Sequence, residues 1–190
     1  MSALEVDGLR WEVRTHGAGS PLLLIHGFTG RGSGWGALAT AFSRRHRLVV
    51  VDLPGHGRSG VPDDPARASV ERSADDLAAI LRHVAASPAH VIGYSLGARI
   101  ALRLAVAHPR SVRRLILESP SAGIVDPAAR AERARADDAR ATTLERDVHG
   151  SEPTDSATVP PVSPRACVAR GRVRWSRSTT RSGASRPRRS

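Results

Sequence analysis

A chain of 190 residues with 40% hydrophobic content allows one domain of ordinary size with a real core. The single cysteine, Cys167, excludes an internal disulfide, and with no N-terminal apolar leader and no run of membrane-spanning length the expectation is a cytoplasmic protein without a membrane partner. The net charge of +11 is uneven: residues 151–190 hold nine arginines against Glu152 and Asp155, while residues 1–150 hold twenty against sixteen acids.

The chain opens with a predicted hairpin, residues 3–6 and 9–15 around Asp7-Gly8, a pair suited to a two-residue primed turn. Gly17, Gly19 and Pro21 break the chain before Leu22-Leu23-Leu24-Ile25, a fully apolar run that predicts a central strand. His26-Gly27-Phe28-Thr29-Gly30 follows, a glycine-bracketed loop where exposed backbone N–H groups can face a substrate. Helical spacing at Trp35, Leu38, Ala39 and Phe42 predicts a helix over 35–43, and residues 48–51 form the next buried strand. That strand ends in the turn-rich loop Asp52-Leu53-Pro54-Gly55-His56-Gly57-Arg58-Ser59-Gly60. Ser69 then caps a helix whose Val70, Ala74, Leu77, Leu81 and Val84 make one apolar stripe.

The next stretch carries the chemistry. His90-Val91-Ile92 predicts a buried strand and residues 98–107 a helix, with Gly93-Tyr94-Ser95-Leu96-Gly97 at the bend between them. In such a bend the serine is strained and presented outward, and its flanking positions leave no room for a Cβ. The N–H of Leu96, at the helix start, is left free to hold a developing oxyanion. Residues 114–117 predict a fourth core strand, leading to Glu118-Ser119-Pro120. Strands alternating with helices through short loops mean an α/β architecture, a doubly wound and mostly parallel sheet, whose strand C-terminal ends build the site.

The strand ending in His26-Gly27, the strand ending in Asp52-Leu53-Pro54-Gly55-His56-Gly57 and the elbow around Ser95 together resemble the α/β-hydrolase superfamily in order and separation. Within it the likeness is to the 2-succinyl-6-hydroxy-2,4-cyclohexadiene-1-carboxylate synthases of menaquinone biosynthesis. Three runs carry that likeness: His26-Gly27-Phe28-Thr29-Gly30, Gly93-Tyr94-Ser95-Leu96-Gly97-Ala98-Arg99, and Leu117-Glu118-Ser119-Pro120-Ser121-Ala122-Gly123-Ile124 before an Ala/Arg/Glu helix. The resemblance covers about residues 4–149 and implies an N-terminal hydrolase core (1–125) and the start of a lid helix (126–150); residues 151–190, rich in Arg, Ser and Pro and without apolar periodicity, are expected from their composition to form a disordered tail.

The resemblance also implies roles. Ser95 is the triad serine, and the N–H groups of Phe28 and Leu96 form the oxyanion hole. Arg99, one helical turn beyond Ser95, and Arg133, in the lid helix, face carboxylates of the substrate, a task that suits the planar guanidinium fork. Tyr94 is a pocket tyrosine. The implied reaction eliminates pyruvate from 2-succinyl-5-enolpyruvyl-6-hydroxy-3-cyclohexene-1-carboxylate, with no metal and no organic cofactor. The residues themselves leave Arg99 open between ligand and solvated helix residue. Arg133, among Arg130, Arg135 and Arg140 on a helix capped by Asp126 with Pro127 at its first position, reads more readily as part of a solvated face. His26 and His56 are expected to shape loops rather than act as bases.

One part of this pattern is missing. In this fold the triad runs Ser, then Asp or Glu, then His, with the last two after later strands. Beyond the lid helix the chain holds only Glu152 and Asp155 and no histidine, His149 matches no triad position, and His108 falls at the far end of the Ser95 helix. The expectation is therefore a chain truncated or frameshifted after about residue 150, with impaired activity. Two alternatives stand beside the lyase: a carboxylic ester hydrolase on the same scaffold, and an inactive chain whose Arg-rich tail binds an acidic partner. Nucleic acid is disfavoured because Trp175 is the tail's single stacking residue. Oligomeric state is left open.

Overall fold

The computed structural model describes residues 2–120, 123 and 126–150, with side chains in the last helix up to position 137 and at 139. Strands β1 (Ser2–Val6) and β2 (Leu9–His16) form the predicted hairpin. Asp7 and Gly8 both adopt positive φ (48° and 70°), the primed-turn geometry that lets Val6 pair with Leu9. Strands β3 (Ser20–Ile25), β4 (His46–Val51), β5 (Ala89–Tyr94) and β6 (Val112–Glu118) complete a six-stranded sheet in the order β1-β2-β4-β3-β5-β6. The hairpin and the β2/β4 pair are antiparallel; β3 pairs in parallel with β4 and β5, and β5 with β6. Three helices make the crossovers that parallel pairing demands: α1 (Gly36–Ser43), α2 (Val70–His83) and α3 (Leu96–Ala107).

The apolar runs of β3 and β4 are continuous because both faces of the sheet are covered there. Successive side chains alternate, so Leu23, Ile25, Val49 and Val51 join the larger core with Trp11, Leu77, Leu81, Ile100 and Leu104. Leu22, Leu24, Leu48, Val50 and Ile92 build the smaller core under Trp35, Ala39 and Phe42. Helix α2 starts as expected, the Ser69 hydroxyl accepting from the Arg72 N–H at 3.3 Å, and it buries Val70, Ala74, Leu77 and Leu81. A last helix, α4 (Pro127–Gly150), is capped by Asp126, which accepts from the Ala129 N–H at 2.6 Å.

Two expectations change. Leu38, predicted on the apolar stripe of its helix, is 55% exposed: the sheet is met by Ala39 and Phe42 of α1 and by Trp35 just before it, and Leu38 is not among the residues packed there. Strand β6, predicted as a core strand, is the free edge of the described sheet. Its Leu115 and Leu117 are partly buried against the larger core, but Ile116 is 57% exposed because the only helix described on that face, α1, lies over β3 and β4.

Candidate active site

Ser95 sits at φ 51°, ψ −109°, between the end of β5 and the first residue of α3, so it belongs to neither. A non-glycine residue in this region costs about 1–3 kcal/mol and persists only where its surroundings over-determine it. Three contacts do so. The Ser95 N–H donates to the Glu118 carbonyl at 2.9 Å, which ties the bend to β6. A Cβ on Gly93 would lie 2.3 Å from the Gly97 oxygen, and one on Gly97 would lie 2.2 Å from the Ile25 oxygen and 2.5 Å from that of His26. The glycine spacing thus lets the start of α3 press directly on the end of β3.

That packing brings the loop after β3 against the elbow. Gly27 lies under the Tyr94 ring, where an added Cβ would sit 2.8 Å from Cδ1; Tyr94 is itself 48% exposed at the tip of β5. The Ser95 carbonyl accepts from Ala98 and Arg99, while the N–H groups of Leu96 and Phe28 donate to no described residue. These are the two donors expected for an oxyanion, one on each side of the contact between the β3 loop and the elbow.

The histidines brace the loops. The Leu53 N–H donates to His26 Nε2 at 2.9 Å, so the ring is neutral with its proton on Nδ1, which donates to the Gly27 carbonyl at 2.8 Å. His56, buried, donates from Nδ1 to the Pro54 carbonyl at 3.0 Å and stacks at a tilt on His26, with the Phe28 ring edge-on to it. Sequence reasoning missed Asp52, which is 1% exposed and links the two loops. Its carboxylate accepts from the Gly32 N–H at 2.6 Å, the Arg58 N–H at 3.0 Å and the Arg14 guanidinium at 3.3 Å. Gly57, at φ 52°, must lack a side chain because a Cβ would fall 2.1 Å from Asp52 Oδ2. The available signal was an acid closing a buried strand ahead of a glycine-rich turn.

Arg99 is half-buried on α3, and among the described residues no carboxylate hydrogen-bonds or ion-pairs with its guanidinium. Burial lowers its pKa, Glu71 opposes that shift and Arg133 adds to it, so Arg133 lies within electrostatic reach of Arg99. Arg133 is exposed and held by Asp137 on its own helix at 2.8 Å. Among the described residues no histidine hydrogen-bonds the Ser95 hydroxyl. His108, at the other end of α3, pairs with Asp75 at 2.7 Å, and the side chain of His149 lies outside the described residues, as does the tail. No metal-holding group of His, Cys, Asp and Glu occurs among the described residues, and no described helix is long and apolar enough to cross a membrane. A cleft of about 380 Å³ lined by Arg82, His108 and Arg110 lies at the far end of α3 and takes no part in this site.

Fold and site define a class. The chain belongs to the alpha/beta hydrolase fold family, whose model matches residues 20–153. A putative 2-succinyl-6-hydroxy-2,4-cyclohexadiene-1-carboxylate synthase of Bacillus subtilis is 34% identical over 143 residues, covering 74% of this chain and 52% of that protein. The chloroplastic protein PHYLLO of Arabidopsis thaliana is 34% identical over 152 residues, covering 74% of this chain and 9% of that protein. A crystal structure of a hydrolase from Pseudomonas aeruginosa PA01 superposes with a TM-score of 0.69 at 25% identity, covering 88% of this chain and 71% of the other. The chain thus spans about half the length of the Bacillus relative and a tenth of the plant protein.

Proposed function

We propose that Ser95, the Phe28 and Leu96 amides and Arg99 form the site of a pyruvate-eliminating lyase of the 2-succinyl-6-hydroxy-2,4-cyclohexadiene-1-carboxylate synthase type. The observation that carries this reading is Arg99: a half-buried guanidinium without a carboxylate bound to it among the described residues, one turn from a strained serine. Removing a cation's hydration is costly unless an anion replaces it, and a carboxylate of the substrate meets that need. The likeness to the Bacillus relative supplies the substrate class.

In this scheme a proton leaves a ring carbon of 2-succinyl-5-enolpyruvyl-6-hydroxy-3-cyclohexene-1-carboxylate. The electron pair left behind forms a ring double bond as the carbon–oxygen bond to the enolpyruvyl group breaks, and that group departs as the enolate of pyruvate, which takes up a proton at its methylene carbon to give pyruvate. Charge that develops on an oxygen beside the acidified carbon is held by the Phe28 and Leu96 N–H groups. Arg99 anchors a carboxylate, with Arg133 as a second cation once Asp137 releases it. Ser95 relays the proton to a base from outside the described residues, since a serine hydroxyl at its ordinary acidity accepts none by itself.

Calorimetric titration of the substrate into the Ser95→Ala chain, which binds without turnover, tests the arginine. Adding Arg99→Ala is expected to weaken binding about ten- to a hundredfold, the range for one charge-assisted hydrogen-bonded pair. Unchanged affinity removes Arg99 from the site. Turnover of p-nitrophenyl esters without pyruvate release identifies an ester hydrolase on the same scaffold instead.

A further inference from the structure

The end of the sheet opposite Ser95 carries a charge that the Ser95 site does not use. Strands β4, β3, β5 and β6 run parallel, so their first residues and the last residues of α1, α2 and α3 gather at one end. The three connections there, residues 43–47, 82–90 and 107–114, hold seven arginines and neither Asp nor Glu. Part of this follows from the helices, whose C-terminal ends attract cations. The end of α2 is already served, however, because Arg47 donates to the Val84 and Ala85 carbonyls at 2.7 Å and 3.2 Å. His90 registers the surplus: burial first, then Arg114, His46 and Arg113, hold its pKa below the ordinary histidine value, with no acid opposing them among the described residues.

Within this end lies the cleft of about 380 Å³. It is lined by Arg82 in the last turn of α2, Ser87 ahead of β5, and the turn His108-Pro109-Arg110-Ser111 that leads from α3 into β6. That turn is fixed, the His108 N–H donating to the Leu104 carbonyl and the Ser111 N–H to the His108 carbonyl, both at 2.8 Å. The guanidiniums of Arg82 and Arg110 make no ion pair or hydrogen bond with any described residue, and the hydroxyl of Ser111, a residue only 6% exposed, has no partner among them either. Asp75 stands outside the lining and is held by His108 Nε2 at 2.7 Å.

Two unpaired guanidiniums beside free hydroxyls suit a ligand group with more than one negative charge and several acceptor oxygens. A phosphate monoester has both, with a charge of about −1.5 to −2 near pH 7, whereas a carboxylate brings one charge and two oxygens. The volume is more than a bare phosphate fills and falls within the range of about 300–1,000 Å³ usual for sites that hold an organic ligand. We propose that this cleft is a second ligand site, which takes a phosphate monoester, free or as the headgroup of phosphatidic acid, between Arg82 and Arg110. The Ser87 and Ser111 hydroxyls supply further donors. This site stands apart from Ser95 and Arg99 and does not depend on the reaction proposed for them.

Calorimetric titration of glycerol 3-phosphate into the full chain tests the site. Saturable binding is expected, and in the wild type it should move the nuclear magnetic resonance signals of the His108 ring, a readout that needs no variant. Arg82→Ala and Arg110→Ala, both at exposed positions, are each expected to weaken binding about tenfold or more. Arg113→Ala, at the same end but outside the lining, and Arg99→Ala, beside Ser95, are expected to leave it within about twofold. Co-sedimentation with phosphatidylcholine vesicles, with and without phosphatidic acid, tells the two sources apart. Capture that requires phosphatidic acid, is lost in Arg82→Ala and Arg110→Ala and is competed by glycerol 3-phosphate identifies the headgroup; binding of glycerol 3-phosphate without such capture identifies the free ester. Absence of binding, a His108 ring that does not respond, or affinity that survives both cleft substitutions and falls with Arg99→Ala or Arg113→Ala instead, overturns the proposal.

Discussion

Gly97 shows how much of the site rests on the absence of one carbon. Its missing Cβ is what allows the elbow to touch the end of β3, and a methyl there would stand 2.2 Å from a backbone oxygen that cannot swing aside. Gly97→Ala is therefore expected to destabilise the chain by about 2 kcal/mol or more, read from the midpoint of urea unfolding. Gly34→Ala, where an added Cβ meets nothing within 4 Å, is expected to leave the midpoint nearly unchanged. At this scale the sequence is eloquent about Ser95 because a sterically forced spacing writes itself into the glycines. It says less about Asp52. An acid closing a buried strand ahead of a glycine-rich turn is a hint, but it does not say that Asp52 gathers the Gly32 amide and Arg14 as well as the Arg58 amide of its own loop, since the first two come from segments distant along the chain.

Helix α2 shows the same limit for an element. The stripe expected along Val70, Ala74, Leu77, Leu81 and Val84 is legible from period alone; its first four members are buried, and Val84, just past the helix end, is partly buried. Asp76, on the same helix, reads as polar yet is buried between Trp11 Nε1 at 3.1 Å and the Arg67 guanidinium at 2.7 Å and 3.1 Å. Burial is the largest influence on its pKa and raises it above the ordinary aspartate value, with Arg67 and Trp11 pulling against that rise and Asp7 adding to it. A carboxyl whose folded value is raised binds its proton more tightly when folded. The stability it contributes is fully present below the unfolded value and is lost as pH rises through the folded one. The unfolding free energy of the wild type minus that of Asp76→Asn is thus expected to fall as pH climbs out of the acid range and then to level off. A difference that grows with pH would show that Arg67 outweighs burial. β6 makes a complementary point: its apolar run suggested a core strand, but whether a strand is central or at an edge is decided by what else joins the sheet. A single strand's sequence does not contain that information.

For the whole molecule, the alternation of strands and helices gave the mixed sheet and the placement of Ser95 at its C-terminal edge, because parallel pairing forces crossovers and crossovers force helices onto both faces. What it could not give was the covering of the second face, where among the described residues α1 and Trp35 lie over β3 and β4 while Ile116 and Tyr94 stay open. The same incompleteness governs the chemistry. In this fold the acid and the histidine follow strands later than the one bearing the serine, and β6 is the last strand among the described residues. A site with a placed serine, two amide donors and a half-buried arginine, and with no imidazole bound to the serine among the described residues, should respond to one supplied from solution. The most direct test is pyruvate release from 2-succinyl-5-enolpyruvyl-6-hydroxy-3-cyclohexene-1-carboxylate by the full chain with and without added imidazole, beside Ser95→Ala. The expected result is slow release that imidazole accelerates in the wild type and that is lost, with and without imidazole, in the variant. Release that survives Ser95→Ala, or none from the wild type under either condition, would contradict the assignment of Ser95 to this reaction.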